Sequence, residues 1–444
     1  MRKPFKLACL ADTHYYSPTL GTSGKAYALR SGSDQKCLAE TGYILEEAFR
    51  QIVDSGADAV LIAGDLTDNG ETASHTELRE KLCALQKHLP VYVLTATHDW
   101  CCDENARRYE GDGVFHDVDT LPADALSAFY RQFGLCDAIA TYKTHIGALS
   151  YVVQPCEGLR ILMLNDDQNG RGRSGFTEEH LQWIERQIMN ARRAGCQVIA
   201  AEHHPIIPPV HPFLTGGNSA GDREEIVERL SAAGLRCVIT GHLHMQDVVR
   251  HGTLTEVSLG TICGWPGNIV YATLDDTQIS LQTEAVSCRE LLKKQTLGVL
   301  QNLLDGAVDS PEAFRERLHA LHLPTKLSVT RPYIRLWAKR MDTLTVREAY
   351  HLLRRRLPGL LPAVSLDVIG NDPLGDTVKT VFLSLFGDGL AKTPDDDLYK
   401  VVTALFAIPQ KLLRHNEVCR KIAESGVHLM QKKPLDGIVI QSVL

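Results

Sequence analysis

No two of the twelve cysteines are spaced Cys-x-x-Cys, and Cys101 and Cys102 are adjacent, a poor geometry for bridging each other. That sets aside a disulfide framework and favours reduced core cysteines. No apolar stretch approaches the length that crosses a bilayer. Arg2, Lys3 and Lys6 precede only about six apolar residues before Asp12, too few for a signal-peptide core. The expected location is therefore cytoplasmic. There is no internal repeat and no low-complexity tract, which excludes a repeat architecture.

What is present is a chain of 444 residues, 44% hydrophobic and 23% charged, long enough for two or three globular domains. The formal net charge of −7 is unevenly spread: residues 288–444 hold 23 Lys and Arg against 17 Asp and Glu, so the excess acid lies in the first 287 residues. The shift predicts a first domain over 1–287 and a second over 288–444.

Five apolar runs in the first part stop at a His or an Asp. Lys6–Leu10 ends in Ala11-Asp12-Thr13-His14, Asp58–Ala63 in Gly64-Asp65, and Val91–Leu94 in Thr95-Ala96-Thr97-His98-Asp99. Gln197–Ala201 ends in Glu202-His203-His204-Pro205, and Cys237–Thr240 in Gly241-His242-Leu243-His244. Such runs read as buried strands, and in open α/β sheets the site lies beyond their carboxyl ends. The expectation is that all five deliver carboxylates and imidazoles to one edge of one sheet.

Between the runs lie helical patterns. Ile44, Leu45, Ala48, Phe49, Ile52 and Val53 form one stripe, and Leu78, Leu82 and Leu85 a second. Thr177 caps a third with Leu181, Ile184, Ile188 and Ala191, and Ile226 and Leu230 mark a fourth ending at Gly234. Alternating strands and helices give the βαβ pattern. After His244, runs at 247–250, 253–259, 268–274 and 278–286 predict an antiparallel section, into which 139–153 and 159–164 feed as well. From Cys288 onward the pattern is helical, broken at Pro311, Pro324, Pro358, Pro373 and Pro394.

Carboxylate with imidazole and almost no thiolate suits Zn, Mn or Fe. Asp12 and His14 are two apart, so an extended backbone sends both side chains to one face, where they can grip one ion; His242 and His244 repeat the spacing. Asp65, after a glycine at a strand end, can reach two ions, the arrangement of two-metal hydrolases. Two divalent ions bring four positive charges and Asp12 with Asp65 return two negative ones, which favours an anion such as a phosphate ester together with a metal-bound hydroxide.

The order Asp12-x-His14, Gly64-Asp65-x-x-Asp68, x-x-His98-Asp99, His203-x-Pro205 and Gly241-His242-x-His244 resembles the calcineurin-like metallophosphoesterase superfamily, and within it the class III cyclic-nucleotide phosphodiesterases and related bacterial phosphoesterases. The resemblance covers roughly residues 5–286. It implies an α/β fold, a four-layered α/β/β/α sandwich, here followed by an all-helical C-terminal domain. It implies a first metal on Asp12, His14, Asp65 and His244, and a second on Asp65, the Thr97 position, His203 and His242. His98 would be the general acid, oriented by Asp99 through a hydrogen bond, and a metal-bridging hydroxide the nucleophile. The implied activity is phosphoester hydrolysis, with a phosphodiester, cyclic nucleotides included, as first substrate class. A phosphomonoesterase and a metal-bound, non-catalytic scaffold are the alternatives.

The chain departs from the family at one position: the usual Gly-Asn-His-Asp is here Ala96-Thr97-His98-Asp99. Threonine is shorter and a poorer neutral donor than asparagine. Thr97 binds directly after the backbone moves in, or through a water, or the second metal is weak; on either of the last two readings Thr97→Asn tightens metal binding.

Weaker signals complete the reading. Gly170-Arg171-Gly172-Arg173-Ser174-Gly175 spells GxGxxG but does not begin at a strand end, so it reads as a loop near the site, with Arg171 and Arg173 as candidate phosphate contacts. The long polar segment 15–36 offers Lys25 and Arg30 for the same role. His204 and His211 read as supporting or surface histidines, and Trp265-Pro266-Gly267 as a base-stacking or packing element. Arg354-Arg355-Arg356 reads as a solvated helix face, with no aromatic interleaving to favour nucleic acid. The implied partner is a small phosphoester substrate, and the sequence carries no sign of oligomeric state.

Overall fold

The structure is a computed structural model; it describes residues 3–167, 174–207, 209, 220, 221, 223–320, 328, 331–387, 389–413 and 416–441. The five apolar runs become β1 (Phe5–Leu10), β2 (Ala59–Ala63), β3 (Val91–Leu94), β9 (Gln197–Ala201) and β10 (Cys237–Thr240). Between β3 and β9 lie the hairpin β4 (Arg108–Glu110) and β5 (Gly113–Phe115), then β6 (Ala140–Lys143), β7 (Leu149–Cys156) and β8 (Leu159–Met163). After β10 follow β11 (Asp247–His251), β12 (Leu254–Ser258), β13 (Asn268–Leu274), β14 (Gln278–Ala285) and β15 (Val439–Gln441).

These strands form two large sheets, which corrects the expectation of one. The first has the order β15-β14-β13-β1-β2-β3, the second β11-β12-β10-β9-β8-β7-β6. β1, β2 and β3 are parallel to one another, as are β8, β9, β10 and β12, so the carboxyl ends of both parallel cores carry the His and Asp clusters. The antiparallel section is divided between the sheets: β11 and β12 extend the second, β13 and β14 the first.

Side-chain alternation explains the layering. Leu7 and Cys9 of β1 point into the core between the sheets, with Ala59, Leu61, Ile161, Met163, Ile199 and Ile239. Ala8 and Leu10 point the other way, with Val60 and Ile62, against Ile44, Ala48 and Ile52 of helix Thr41–Asp54 and Leu78 and Leu82 of helix Thr72–Gln86. On the far side of the second sheet, Leu162, Val198, Ala200 and Val238 pack under Leu181, Ile184 and Ile188 of helix Glu178–Arg193 and Ile226 and Leu230 of helix Arg223–Ala233. The Thr177 side chain accepts from the His180 N–H, the expected cap. The result is an α/β/β/α sandwich. Strands buried on both faces read as unbroken apolar runs, and such a run carries no mark of which sheet it joins.

The C-terminal part is helical, from Arg289–Asp309 to Glu417–Gln431. It ends in β15, which pairs antiparallel to β14 with Ile440 opposite Ile279. No described helix is long and apolar enough to cross a membrane. Helix Arg289–Asp309 is tied to the 31–34 loop, where Gln295 Nε2 donates to the carbonyls of Ser31 and Asp34 (2.6 and 2.7 Å) and Asn302 Nδ2 to that of Gly32 (2.6 Å). Later helices hold the segment after His244: the Gln246 N–H donates to the Phe386 carbonyl at 2.6 Å, and His428 Nε2 lies 2.7 Å from Asp247 Oδ2.

Candidate metal centre

β1 stops at Leu10, so Asp12 and His14 do not share an extended face as the spacing suggested. Asp12 has φ 53° and His14 φ 39°, in the left-handed region. The backbone turns because this segment runs along Gly64–Leu66: the N–H groups of Asp12, His14 and Tyr15 donate to the carbonyls of Gly64, Asp65 and Leu66 at 2.9–3.0 Å. Asp65 (φ 50°), His242 (φ 71°) and His244 (φ 54°) are left-handed as well. Eight non-glycine residues among those described have positive φ, and five of them are candidate ligands. Backbone strain is thus concentrated where the donors are, as expected of a site held in place by its surroundings.

The donors converge. Asp12, His14 and His244 each place a ligand atom within 4.8 Å of the other two, as do Asp12, Asp65 and His203, and His14, Asp65 and His98. His14 Nε2 faces His244 Nε2 at 2.9 Å, and His203 Nε2 lies 3.0 Å from Asp65 Oδ2. The His242 N–H donates to both Asp12 oxygens at 3.0 Å, fixing that carboxylate. His203 Nδ1 lies 2.8 Å from the Ala63 carbonyl, which can only accept, so in the neutral ring Nε2 carries the lone pair. That buried Nε2 makes no aligned hydrogen bond within the protein. Facing carboxylates and imidazoles with free lone pairs, among them a His203 Nε2 that faces Asp65 Oδ2 without an aligned hydrogen bond, fit a pair of divalent transition-metal ions.

The electrostatics agree. Burial pushes the His14 ring well below its ordinary pKa, with Lys36, His244 and His98 adding to the effect, and burial with His204 and His203 does the same to His242. Both are held as the neutral imidazole that ligates. Burial works against the Asp65 carboxylate, but His203, His98 and His14 outweigh it and hold its pKa well below the usual range.

His98 is half-buried, and its Nδ1 donates to the Asp68 carbonyl in a short contact. Asp99 does not orient that ring, which corrects the expectation. Its oxygens accept from the Ala96 N–H at 2.8 Å and from the N–H and hydroxyl of Thr67 at 2.9 and 3.3 Å, because the short helix Thr97–Trp100 turns the carboxylate back on its own N-terminus. Asp99 therefore fixes the loop, and Asp68 fixes the imidazole. Thr97 is buried at the start of that short helix, 9% exposed.

Arg30 is not free for substrate: its guanidinium is engaged by Asp34 in a short ion pair and by Asp68 at 3.3 Å. Sequence gives the charge but not the partners. Lys25 is exposed on helix Gly24–Ser31, with its backbone N–H on Asp112. Arg171, Arg173 and His211 lie outside the described residues. Trp265 packs rather than offering a stacking face: it is 9% exposed, its Nε1 donates to the Leu383 carbonyl at 3.2 Å, and Arg289 covers its ring at 4.3 Å. Arg354, Arg355 and Arg356 are exposed in the last turn of helix Val346–Arg356, where the helix dipole favours them.

Three supports had no assigned role in the sequence reading. Buried Lys36 places Nζ 2.8 Å from Asp68 Oδ1 and 3.5 Å from His14 Nδ1, under the first ligand pair. His75 of helix Thr72–Gln86 accepts from the Tyr130 hydroxyl and donates to the Asp99 carbonyl, both at 2.7 Å, bracing the His98 loop. Asp166 Oδ2 lies 2.9 Å from His204 Nδ1. Only Asp68, inside the Gly-Asp-x-x-Asp motif, signals any of this network in sequence.

The sequence profile of the calcineurin-like phosphoesterases matches residues 5–246, more than half of the chain. The chain belongs to that family. It is 24% identical over 242 residues to a probable cyclic nucleotide phosphodiesterase of Rhodococcus erythropolis, covering 54% of this chain and 64% of that protein. It is 24% identical over 245 residues to a cAMP/cGMP dual specificity phosphodiesterase of Mycobacterium tuberculosis, covering 55% and 63%. The chain thus spans less than two thirds of the length of these curated relatives. Among solved structures, a dimetal phosphatase from Danio rerio superposes with a TM-score of 0.46 at 14% identity, covering 64% of this chain and 97% of that one.

Proposed function

We propose that this chain hydrolyses a phosphodiester at a pair of divalent transition-metal ions, Mn, Fe or Zn, and that cyclic nucleotides are its first candidate substrates. The observation that carries the reading is the meeting of five strand ends at one rim, with Asp12 and Asp65 among His14, His203, His242 and His244. The two cations would supply Lewis acidity to the phosphoryl group and a water activated near neutral pH. Asp12, His14 and His244 would hold one, His203 and His242 the other, with Asp65 shared between them. His98 would donate a proton to the departing alkoxide from Nε2, since Nδ1 is engaged by Asp68. The substrate class is supported by the relatives, a probable cyclic nucleotide phosphodiesterase and a cAMP/cGMP phosphodiesterase.

The test is hydrolysis of a chromogenic phosphodiester, a phosphomonoester and 3′,5′-cyclic AMP by purified protein with added Mn, Fe, Zn or Co, and after chelation. Metal-dependent turnover with the diesters preferred is expected. Turnover of the monoester alone would move the assignment to a phosphomonoesterase, and no turnover with any metal would leave a binding scaffold.

A further inference from the structure

His204 is built like a ligand, and it stands against two of the candidate donors to the second ion. It is 5% exposed, with its ring centroid 4.2 Å from that of His242 and 5.0 Å from that of His203. His203, His204 and His242 each place a ring nitrogen within 4.8 Å of the other two. Two nitrogens on one zinc-like ion, each bonded at about 2.0–2.1 Å, stand no more than about 4.2 Å apart, so small adjustments bring all three onto one cation.

The orientation of the ring points the same way. Asp166 Oδ2 accepts from His204 Nδ1 at 2.9 Å and from the His204 backbone N–H at 3.0 Å, locking side chain and main chain together. With Nδ1 donating to a carboxylate, the neutral ring keeps its lone pair on Nε2. A carboxylate behind an imidazole is the arrangement that orients histidine ligands and raises their basicity. His203 is prepared in the same way by the Ala63 carbonyl. A neutral imidazole nitrogen is also a stronger donor to Mn, Fe or Zn than the hydroxyl of Thr97.

Resting on the two-ion reading above, we propose that His204, oriented by Asp166, is a ligand of the second cation and supplies the coordination that threonine at position 97 does not. A separate third ion on Asp166, Asp167 and His204, whose ligand atoms also lie within 4.8 Å of one another, is the competing use of the same ring.

The experiment is Mn²⁺ titration of the full chain by calorimetry, with metal content after dialysis and Mn²⁺ EPR for the coupled pair. Wild type is expected to bind two ions. His204→Ala should keep the first within about twofold, weaken the second by about tenfold or more and lose the coupled signal; Asp166→Asn should move the second affinity the same way by a smaller factor. Thr97→Ala should shift neither ion by more than about twofold, and Thr97→Asn should restore the second ion in the His204→Ala background. If His204→Ala does not fold, Asp166→Asn carries the test, and unchanged affinity for the second ion in that variant overturns the proposal. Two ions at wild-type affinity in His204→Ala, or a third ion as its only loss, overturns it while leaving the two-ion reading intact. A wild type that binds no pair overturns both.

Discussion

The sandwich and the helical stretch after it treat charge in opposite ways. In the sandwich Asp12, Asp65, Asp68, Asp99, Asp166, Asp167, Glu202 and His203 are all at most 2% exposed. Among the described residues after 288, the buried charged side chains are Asp397 and Lys432, at 8% and 4%. Several of the other charges there pair on helix surfaces three or four residues apart, as in Arg315 with Glu312, Lys379 with Asp376 and Arg420 with Glu424. Large apolar side chains also reach solvent in that stretch, Val368 at 81% and Leu412 at 62% exposure. Burying an ionised group costs several kcal/mol unless something compensates. A cluster of eight buried titratable groups at one rim, with Asp65 and Asp68 among them held as carboxylates, is therefore a stronger pointer to chemistry than any patch of the more charge-dense tail.

The contrast can be broken by substitution, and the largest effect is expected at His98. His98→Ala should lower kcat for a diester roughly 10²- to 10⁴-fold with bound metal unchanged, while replacing Arg354, Arg355 and Arg356 together should leave kcat within about twofold. Comparable losses from both would erase the distinction.

The second test is pH. Burial pushes His75 down to about 4, with the Asp99 carbonyl working the other way. A base with a depressed folded pKa stays neutral in the fold while the unfolded chain protonates near 6.5. The stability it contributes is therefore present above pH 6.5 and lost as pH falls toward 4, by at most about 3 kcal/mol. Urea melts of wild type and His75→Gln across pH 4–7 should converge on acidification; parallel profiles would exclude this role.

A smaller effect is expected where the tail meets the sheet. Ile440, 2% exposed on β15, is packed in the inter-sheet core, so Ile440→Ala should cost about 2 kcal/mol, readable as a shift in the urea midpoint. The smallest belongs to the tail surface, where Arg420→Ala should change stability by no more than about 0.5 kcal/mol despite its two carboxylate partners.

The parts of this protein that were legible in sequence are those where the signal is local. An apolar run ending in His or Asp marks both a buried strand and a candidate donor at its tip, so five strands and the convergence of six candidate donors could be read directly. The partners of a strand are not local: β1 and β9 look alike, yet they lie in different sheets. β15 is only Val439–Gln441, too short to stand out from a helical tail. Arg30 reads as a free cation until Asp34 and Asp68 appear beside it. His204 reads as a bystander because its carboxylate, Asp166, lies 38 residues earlier in the chain. The left-handed turns at the candidate ligands were hidden too, since Asp and His do not announce a positive φ as glycine does.

Those turns set the molecule at odds with itself. Each left-handed non-glycine residue costs about 1–2 kcal/mol that Gly, and partly Asn, would not. A library screened for heat resistance alone, in chelator, should therefore drift toward Gly and Asn at 12, 14, 65, 242 and 244 and lose its reactivity as it hardens. Persistence of Asp and His at all five would mean that something other than durability has been keeping them there.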